Sequence, residues 1–288
     1  MAGGEVLESA AGDELLRTAT EEGLDLRAAL DGDDASLRPT DVAQPALLFV
    51  EAVLGLSLPQ DLHVVAVAGH SVGEYAACVA AGALRPADAM RVVIARGRAM
   101  AAMHEGTMSA LLGLGAAAAE EVCAEASPEG IVVVANINAP EQTVISGTTA
   151  GVEAAERLAL ERGAKRAVRL NVSGAFHSPL MADAAEQVAA VLDAVEVSRA
   201  RVPVVANVDA AAVTEPDEIR DRLRRQITAP VRWVECVRRL VDLGAGDLVE
   251  VGPGSVLSGL ARRIAPEART QQVSSPQAAR TFTEVAAQ

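Results

Sequence analysis

A tight turn between an apolar stretch and an alanine-rich stretch limits the possible folds of this chain more than any other feature. Residues 64–68 are apolar and rich in β-branched side chains, and residues 74–81 have the composition of a helix. Between them lies the pattern Gly69-x-Ser71-x-Gly73. A strand, a tight turn and a helix in this order form a nucleophile elbow, which lifts a serine hydroxyl above a sheet. The stretch predicts an α/β fold with Ser71 as its nucleophile.

The same turn predicts part of an oxyanion hole. In an elbow the backbone N–H after the serine, here that of Val72, stands at the start of a helix whose dipole favours negative charge. Gly-x-Ser-x-Gly also occurs by chance in glycine-rich loops. The interpretation therefore depends on the strand before the turn and the helix after it.

Composition excludes several classes of function. The chain has 288 residues, of which 50% are hydrophobic, and its net charge is −14. That length can bury a large core, and the acidic balance argues against nucleic-acid binding, which needs clustered basic residues. No segment is typical of an export signal or a membrane span. Three distant cysteines without metal-ligand spacing indicate a reduced, cytoplasmic protein without a metal site: Cys78, Cys123 and Cys236.

The order of the predicted elements divides the chain into a core and an insert. Between residues 107 and 172 we expect a β-α-β-β-α-β order, which is that of a ferredoxin-like unit. The expected elements are residues 108–114, 116–126, 131–135, 143–146, 151–162 and 167–172. On either side, short strands alternate with helices, which indicates a parallel sheet covered on both faces. We predict a core of residues 1–105 and 173–288 and a small subdomain of residues 106–172.

A serine nucleophile needs a base, and the chain has four histidines. His70 is too close to Ser71 to reach it across a tight turn, and His63 and His104 lie at element ends in polar surroundings. His177 follows the last strand of the insert, at a domain junction where pockets are common. We therefore predict His177 as the base. No acidic third member is evident, so we expect neutral acceptors to orient this histidine.

Two polar side chains lie on apolar helix faces. Arg96 lies within a stripe of buried-type residues, and Gln226 lies on the apolar face of a later helix. A planar guanidinium suits a substrate carboxylate, although such an arginine can also extend to solvent or pair with a structural carboxylate. The half-buried amide of Gln226 needs a hydrogen-bond partner.

Taken together, several motifs resemble the malonyl-CoA:acyl carrier protein transacylase family. They are the segments 69–74, 96–100 and 136–140, the pair Phe176-His177, and Gln226. The resemblance implies an α/β-hydrolase-like core with a parallel sheet and an inserted ferredoxin-like subdomain. It implies that Ser71 is acylated, that His177 is the general acid/base oriented by Gln226, and that Val72 is an oxyanion donor.

The resemblance also implies a substrate site. Arg96 looks like the partner of the malonyl carboxylate. We expect His70, Phe176, Asn138 and Met100 to line this site, with the ring of Phe176 leaving little room for a 2-methyl branch. Discrimination by one methyl group is worth only about 1 to 3 kcal/mol.

The implied reaction moves a malonyl group from malonyl-CoA to the phosphopantetheine thiol of an acyl carrier protein, in fatty acid or polyketide synthesis. It needs no cofactor, and we expect a cytoplasmic monomer that binds neither nucleic acid nor membrane. A run of six arginines is one candidate surface for an acidic carrier protein, although such a run is more often a solvated helix face: Arg220, Arg222, Arg224, Arg225, Arg238 and Arg239. Two alternatives stay open, a thioester hydrolase and a weakly catalytic relative that only binds a carrier protein.

One departure from the family pattern concerns the N-terminal part of the sequence. Members of the family usually begin with a strand and a Gly-Gln-Gly-x-Gln loop, whose first glutamine contributes to the oxyanion hole. No glutamine precedes Gln44 here. We therefore expect this chain to lack that strand and loop.

Overall fold

The computed structural model describes residues 9–172 and 174–282. Twelve α-helices lie in this part of the chain: α1 Ala10–Glu21, α2 Leu26–Asp31, α3 Thr40–Leu56, α4 Gly73–Ala80, α5 Pro86–Ala101, α6 Ala116–Ala126, α7 Thr149–Glu161, α8 Ala182–Ala194, α9 Pro216–Gln226, α10 Trp233–Asp242, α11 Val256–Ile264 and α12 Pro276–Arg280. The described residues also form nine strands: β1 Val67–Ala68, β2 Thr107–Leu112, β3 Val132–Ala139, β4 Gln142–Gly147, β5 Arg166–Arg169, β6 Val204–Val205, β7 Ala212–Val213, β8 Asp247–Val251 and β9 Arg269–Val273. The predicted α/β class is confirmed. Among the described helices, none is both long and apolar enough to cross a bilayer.

The parallel pairing of the core is divided between two small sheets. Strand β1 pairs in parallel with β6, which continues antiparallel to β7, while β8 pairs in parallel with β9. Alternate side chains of β1 and β8 enter the same two apolar clusters. Val67 and Val249 pack against one cluster, and Ala68 and Leu248 pack against the other. The two sheets therefore lie between the same two apolar clusters, although no ladder hydrogen bonds join β1 to β8.

Helix α3 begins at Thr40, five residues before Pro45. Pro45 is therefore inside α3, where its missing N–H leaves the carbonyl of Asp41 without the usual helical donor. Helix α5 passes close to this point, because a Cβ on Gly97 would lie 2.9 Å from the Cα of Asp41. The absence of a side chain at Gly97 lets α5 approach α3 and brings Arg96 towards Gln44.

The insert has the predicted β-α-β-β-α-β order. Its antiparallel sheet has the spatial order β3-β4-β2-β5, the arrangement of a ferredoxin-like unit. Strand β3 runs four residues beyond its predicted end, to Ala139, and forms backbone bonds with the core. The N–H of Ile137 donates to the carbonyl of Val231, and the N–H of Val231 donates to the carbonyl of Ala135. These bonds fix the edge of the insert against the segment before α10, and the proposed domain boundaries stay a prediction.

Candidate active site

Ser71 occupies the turn between β1 and α4, as the sequence pattern predicts. Its φ of 52° lies in the left-handed region, which a residue with a side chain adopts only when its surroundings hold it there. Gly69 makes the turn possible, because a Cβ at this position would lie 2.0 Å from the carbonyl carbon of Gly73. The N–H of Val72 stands just before the first residue of α4. The local geometry is that of a nucleophile elbow.

His177 lies between the hydroxyl of Ser71 and the end of α9 and contacts both. The Oγ of Ser71 lies 2.8 Å from Nε2 of His177, and Nδ1 of His177 lies 2.9 Å from the backbone oxygen of Gln226. A carbonyl oxygen only accepts, so Nδ1 carries the proton and donates it. Nε2 is then left with a lone pair facing the serine hydroxyl. This is the tautomer that a general base needs.

The surroundings of His177 favour its neutral form. The side chain is buried, and its backbone has a φ of 58°. Burial and, to a lesser degree, the positive charge of Arg96 lower the pKa of His177 to about 3. At neutral pH the imidazole is therefore uncharged and able to accept a proton. The predicted neutral acceptor is present, and it is the backbone carbonyl of Gln226 rather than its side chain.

Arg96 reaches the same hydroxyl from helix α5. Its Nη2 donates to Oγ of Ser71 at 3.0 Å and to Oε1 of Gln226 at 3.2 Å, and its Nη1 donates to Oε1 of Gln44. The guanidinium also lies over the ring of Tyr75, 5.9 Å from its centroid. Arg96 is 1% exposed, and burial lowers its pKa.

Arg96 forms no direct ion pair with a described residue of this structure. Its hydrogen-bond acceptors are two amide oxygens and one hydroxyl, and Nε has no partner. Within the described residues, no carboxylate comes within ion-pair distance of it. A buried cation held only by neutral groups is costly unless an anion joins it. The arrangement therefore suits the binding of a small carboxylate beside Ser71.

The side chain of Gln226 is hydrogen-bonded to the backbone of the turn at Ser71. Its Nε2 donates to the backbone oxygen of Ser71 at 2.9 Å and to Oε2 of Glu74 at 2.7 Å. Glu74 is buried on α4, and burial raises its pKa to about 7, against the effect of its bonds to Gln226 and Asn207. The amide of Gln226 thus links Arg96, the turn and Glu74.

The other predicted substrate residues surround this group. Nε2 of His70 lies 2.8 Å from Oδ1 of Asn138 on β3, and its ring meets the ring of Trp233 edge-on at 5.4 Å. Burial lowers the pKa of His70. Met100 is buried one turn after Arg96, and Phe176 is half-buried between the core and the insert.

Three buried polar residues of the site had no predicted role. Gln44 contacts Arg96 and Met100, and Glu74 and Asn207 bind the turn. Two of them were detectable, since Glu74 is the one acidic residue of an alanine-rich helix and Asn207 follows a strand at the end where sites form.

In residues 9–172 and 174–282, no three His, Cys, Asp or Glu side chains are grouped as a metal site.

The run of arginines is less basic than its sequence suggests. All four arginines of α9 form ion pairs with carboxylates: Arg220 with Asp217, Arg222 with Asp209, Arg224 with Asp193, and Arg225 with Asp221. Arg238 and Arg239 on α10 are exposed, and neither forms an ion pair with a described residue. The free positive charge of this surface is therefore on α10 rather than on α9.

Comparison with known proteins gives consistent matches over most of the chain. A family model described as "Acyl transferase domain" matches residues 9–278. The malonyl CoA-acyl carrier protein transacylase of Bacillus subtilis is 45% identical over 252 residues, which cover 86% of this chain and 80% of that protein. The enzyme of the same name from Synechocystis is 41% identical over 243 residues, which cover 84% and 81%.

Solved structures also match over most of the chain. The acyl-carrier-protein S-malonyltransferase of Burkholderia pseudomallei superposes with a TM-score of 0.88 at 39% identity, covering 96% of this chain and 92% of that one. A type II polyketide synthase acyl carrier protein in complex with its malonyl-transacylase also matches. That transacylase has a TM-score of 0.87 and 34% identity, with 93% and 90% covered.

Proposed function

The chain belongs to the malonyl-CoA:acyl carrier protein transacylase family, and we propose that Ser71, His177 and Arg96 perform the malonyl transfer. The protein moves a malonyl group from malonyl-CoA to an acyl carrier protein of fatty acid or polyketide synthesis. One observation supports these three roles above all others. Nε2 of His177 and Nη2 of Arg96 lie 2.8 and 3.0 Å from the same atom, Oγ of Ser71.

In the first half-reaction, His177 takes the proton of the Ser71 hydroxyl while Oγ attacks the thioester carbonyl carbon of malonyl-CoA. The carbonyl oxygen becomes an oxyanion, and the N–H of Val72 at the start of α4 stabilises it. The carbon–sulfur bond then breaks, and the protonated His177 gives its proton to the departing thiolate of coenzyme A. The product is a malonyl ester on Ser71.

In the second half-reaction the same atoms act in reverse. The phosphopantetheine thiol of the carrier protein gives its proton to His177, and its sulfur attacks the ester carbonyl. The carbon–oxygen bond breaks, and Ser71 recovers its proton from His177. This cycle uses no cofactor, since proton transfer and acyl transfer account for every bond made and broken.

We also propose that Arg96 binds the malonyl carboxylate. Its support is the buried guanidinium with an unpartnered Nε and only neutral acceptors. An incoming carboxylate supplies the missing anion, and an acetyl group does not. His70, Asn138, Met100 and Phe176 complete the proposed substrate site, with Phe176 next to the base.

The acyl carrier protein is the macromolecular partner. We propose that its acidic surface docks near the exposed Arg238 and Arg239. We further propose that the chain acts as a monomer in the cytoplasm, where its three buried, unbridged cysteines remain reduced. Light scattering of the purified protein, with and without carrier protein, tests both the monomer and the complex.

The experiment that tests the function is intact-mass measurement after brief exposure to malonyl-CoA. We expect one added malonyl group on the unmodified chain and none on Ser71→Ala. Ser127→Ala, which removes an exposed serine of the insert, serves as the matched control and should still gain the group. Equal labelling of Ser71→Ala would exclude Ser71 as the nucleophile. Adding holo carrier protein should then move the group to the carrier, whereas release of free malonate would indicate a hydrolase.

A further inference from the structure

Asn207 bridges the turn that presents the nucleophile. Its Oδ1 accepts from the N–H of Ser71 at 2.8 Å, and its Nδ2 donates to the carbonyl of Gly69 at 2.8 Å. Both distances are those of good hydrogen bonds, and the donor and acceptor roles fix which way the amide points. One side chain therefore holds both ends of the turn, from a position just after β6 and 136 residues further along the chain.

The backbone of Asn207 is itself held on both sides. Its N–H donates to Oε2 of Glu74 at 3.2 Å, and its carbonyl accepts from the N–H of Arg232 at 2.9 Å. Asn207 is 0% exposed and lies two residues after Val205, the last residue of β6 that pairs with β1. It is thus a rigid support rather than a mobile surface amide.

The hydrogen bonds of Asn207 continue through Glu74 and Gln226 to His177. Oε2 of Glu74 accepts from both Asn207 and Gln226, and the backbone carbonyl of Gln226 accepts from Nδ1 of His177. The nucleophile and its base are therefore attached to one buried carboxylate through two short chains of hydrogen bonds. A shift of Asn207 changes the position of Ser71 relative to His177.

We propose that Asn207, supported by Glu74, is a positioning residue of this enzyme that holds Ser71 in its left-handed conformation and directs Oγ towards His177. By occupying the Ser71 N–H, it also leaves the N–H of Val72 as the backbone donor of the elbow for the oxyanion. The inference rests on the proposed role of Ser71. Asn207 itself does not contact the reacting atoms.

The test compares Asn207→Ala with Cys236→Ala. Cys236 is fully buried and donates to the carbonyl of Ala206, so its loss perturbs the same strand end without touching the turn. We expect the maximal rate of Ser71 acylation by malonyl-CoA to fall about a hundredfold in Asn207→Ala, the effect of misplacing a reacting group by about 1 Å. KM and the preference for malonyl over acetyl groups should stay within threefold. Cys236→Ala should lose thermal stability and keep its acylation rate.

A second probe measures the nucleophile without malonyl binding. Phenylmethylsulfonyl fluoride forms a bond from its sulfur to Oγ, and fluoride leaves while the base takes the hydroxyl proton. We expect its rate of reaction with Ser71 to fall in parallel with acylation in Asn207→Ala. If wild-type protein reacts with this probe but gains no malonyl group, the proposed function fails while the positioning role is still measured.

Asn207→Asp keeps the shape of the side chain and provides a pH signature. Its ionised carboxylate cannot donate to the Gly69 carbonyl, whereas its protonated form can make both bonds. Burial beside Glu74, with Arg96, His177, Cys236 and Asp209 as the other ionisable groups nearby, favours the protonated form at mildly acidic pH. We expect the acylation rate of this variant, relative to wild type, to rise at least tenfold as the pH falls from 8 to 5. A ratio independent of pH, or a folded Asn207→Ala within threefold of the wild-type rate, would overturn the proposal.

Discussion

The Nδ1 proton of His177 goes to the backbone carbonyl of Gln226, 2.9 Å away, and not to a carboxylate. A peptide oxygen cannot be removed by changing a side chain, so the backbone at the end of α9 orients the imidazole of His177. The amide side chain of the same residue points elsewhere, to Ser71, Glu74 and Arg96. The orienting role and the side-chain role of Gln226 are therefore separable.

The first prediction uses that separation. Gln226→Ala should lower the acylation rate about tenfold. The substitution removes the hydrogen bond from the Gln226 side chain to the backbone oxygen of Ser71, and it leaves the backbone acceptor of His177 in place. His177→Ala should lower it by about 10²- to 10⁴-fold, since the base itself is lost. Rapid-quench acylation followed by mass spectrometry measures both. Equal losses in the two variants would contradict a backbone-oriented histidine.

The second prediction concerns Arg96. Arg96→Ala should reduce acylation by malonyl-CoA relative to acetyl-CoA by roughly 10- to 100-fold, because only the malonyl group loses a charge-assisted bond worth about 1.5 to 3 kcal/mol. Arg98→Ala is the matched control on the same helix, since Arg98 is exposed and donates to the carbonyl of Glu22. The malonyl-to-acetyl ratio of kcat/KM should be unchanged in the control. An unchanged ratio in Arg96→Ala would show that Arg96 does not bind the malonyl carboxylate.

The third prediction concerns pH. Because burial lowers the pKa of His177 to about 3, the neutral base is already present at pH 5, well below the usual titration of histidine near 6.5. The second-order acylation rate should therefore show no tenfold loss per pH unit between 6.5 and 5. Burial raises the pKa of Glu74 to about 7, so this carboxyl titrates near neutral pH. Any inflection of the acylation rate near pH 7 should disappear in Glu74→Gln. An inflection that persists in Glu74→Gln and is caused by protonation of His177 would contradict the prediction.

The fourth prediction concerns stability. Burial, together with the negative charge of Glu250, raises the pKa of Glu51 to about 8, and its Oε2 has no hydrogen-bond partner. Between pH 4.5 and about 8 the folded chain keeps this proton and the unfolded chain does not, so the associated stability is full below pH 4.5 and is lost as the pH rises to 8. Glu51→Gln should therefore raise Tm by a few degrees at pH 8.5 and much less at pH 4.5.

The control for this experiment is Glu161→Gln, an exposed position at the end of α7. Thermal melts of the three proteins across this range measure the effect. Gly73 and Gly252 leave room for the Glu51 side chain, since a Cβ on either would lie within 3.6 Å of it. The amide therefore fits the space of the carboxyl, and a Tm difference independent of pH would contradict the titration of Glu51.

Local sequence was sufficient to predict the elbow and the insert. The apolar run, the small residues of the turn and the alanine-rich helix are consecutive, so their pattern contains the whole geometry around Ser71. The β-α-β-β-α-β order of the insert is equally local, since each strand and helix is marked by its own periodicity. The sequence was less informative about the approach of α5 to α3, because that approach depends on the missing side chain of Gly97 next to Asp41 of another helix.

The sequence by itself determined the α/β class and the family, and it predicted a serine nucleophile and a short set of polar residues for the site. Tertiary structure alone decided how these residues are connected: Asn207 reaches back 136 residues to Ser71, and Gln226 reaches back 152 residues to Glu74. The physical reason is that a buried polar group must find a hydrogen-bond partner, while the identity of that partner depends on which strand and helix ends the packed core brings together. A pattern along the chain records the need for a partner, and only the fold supplies it.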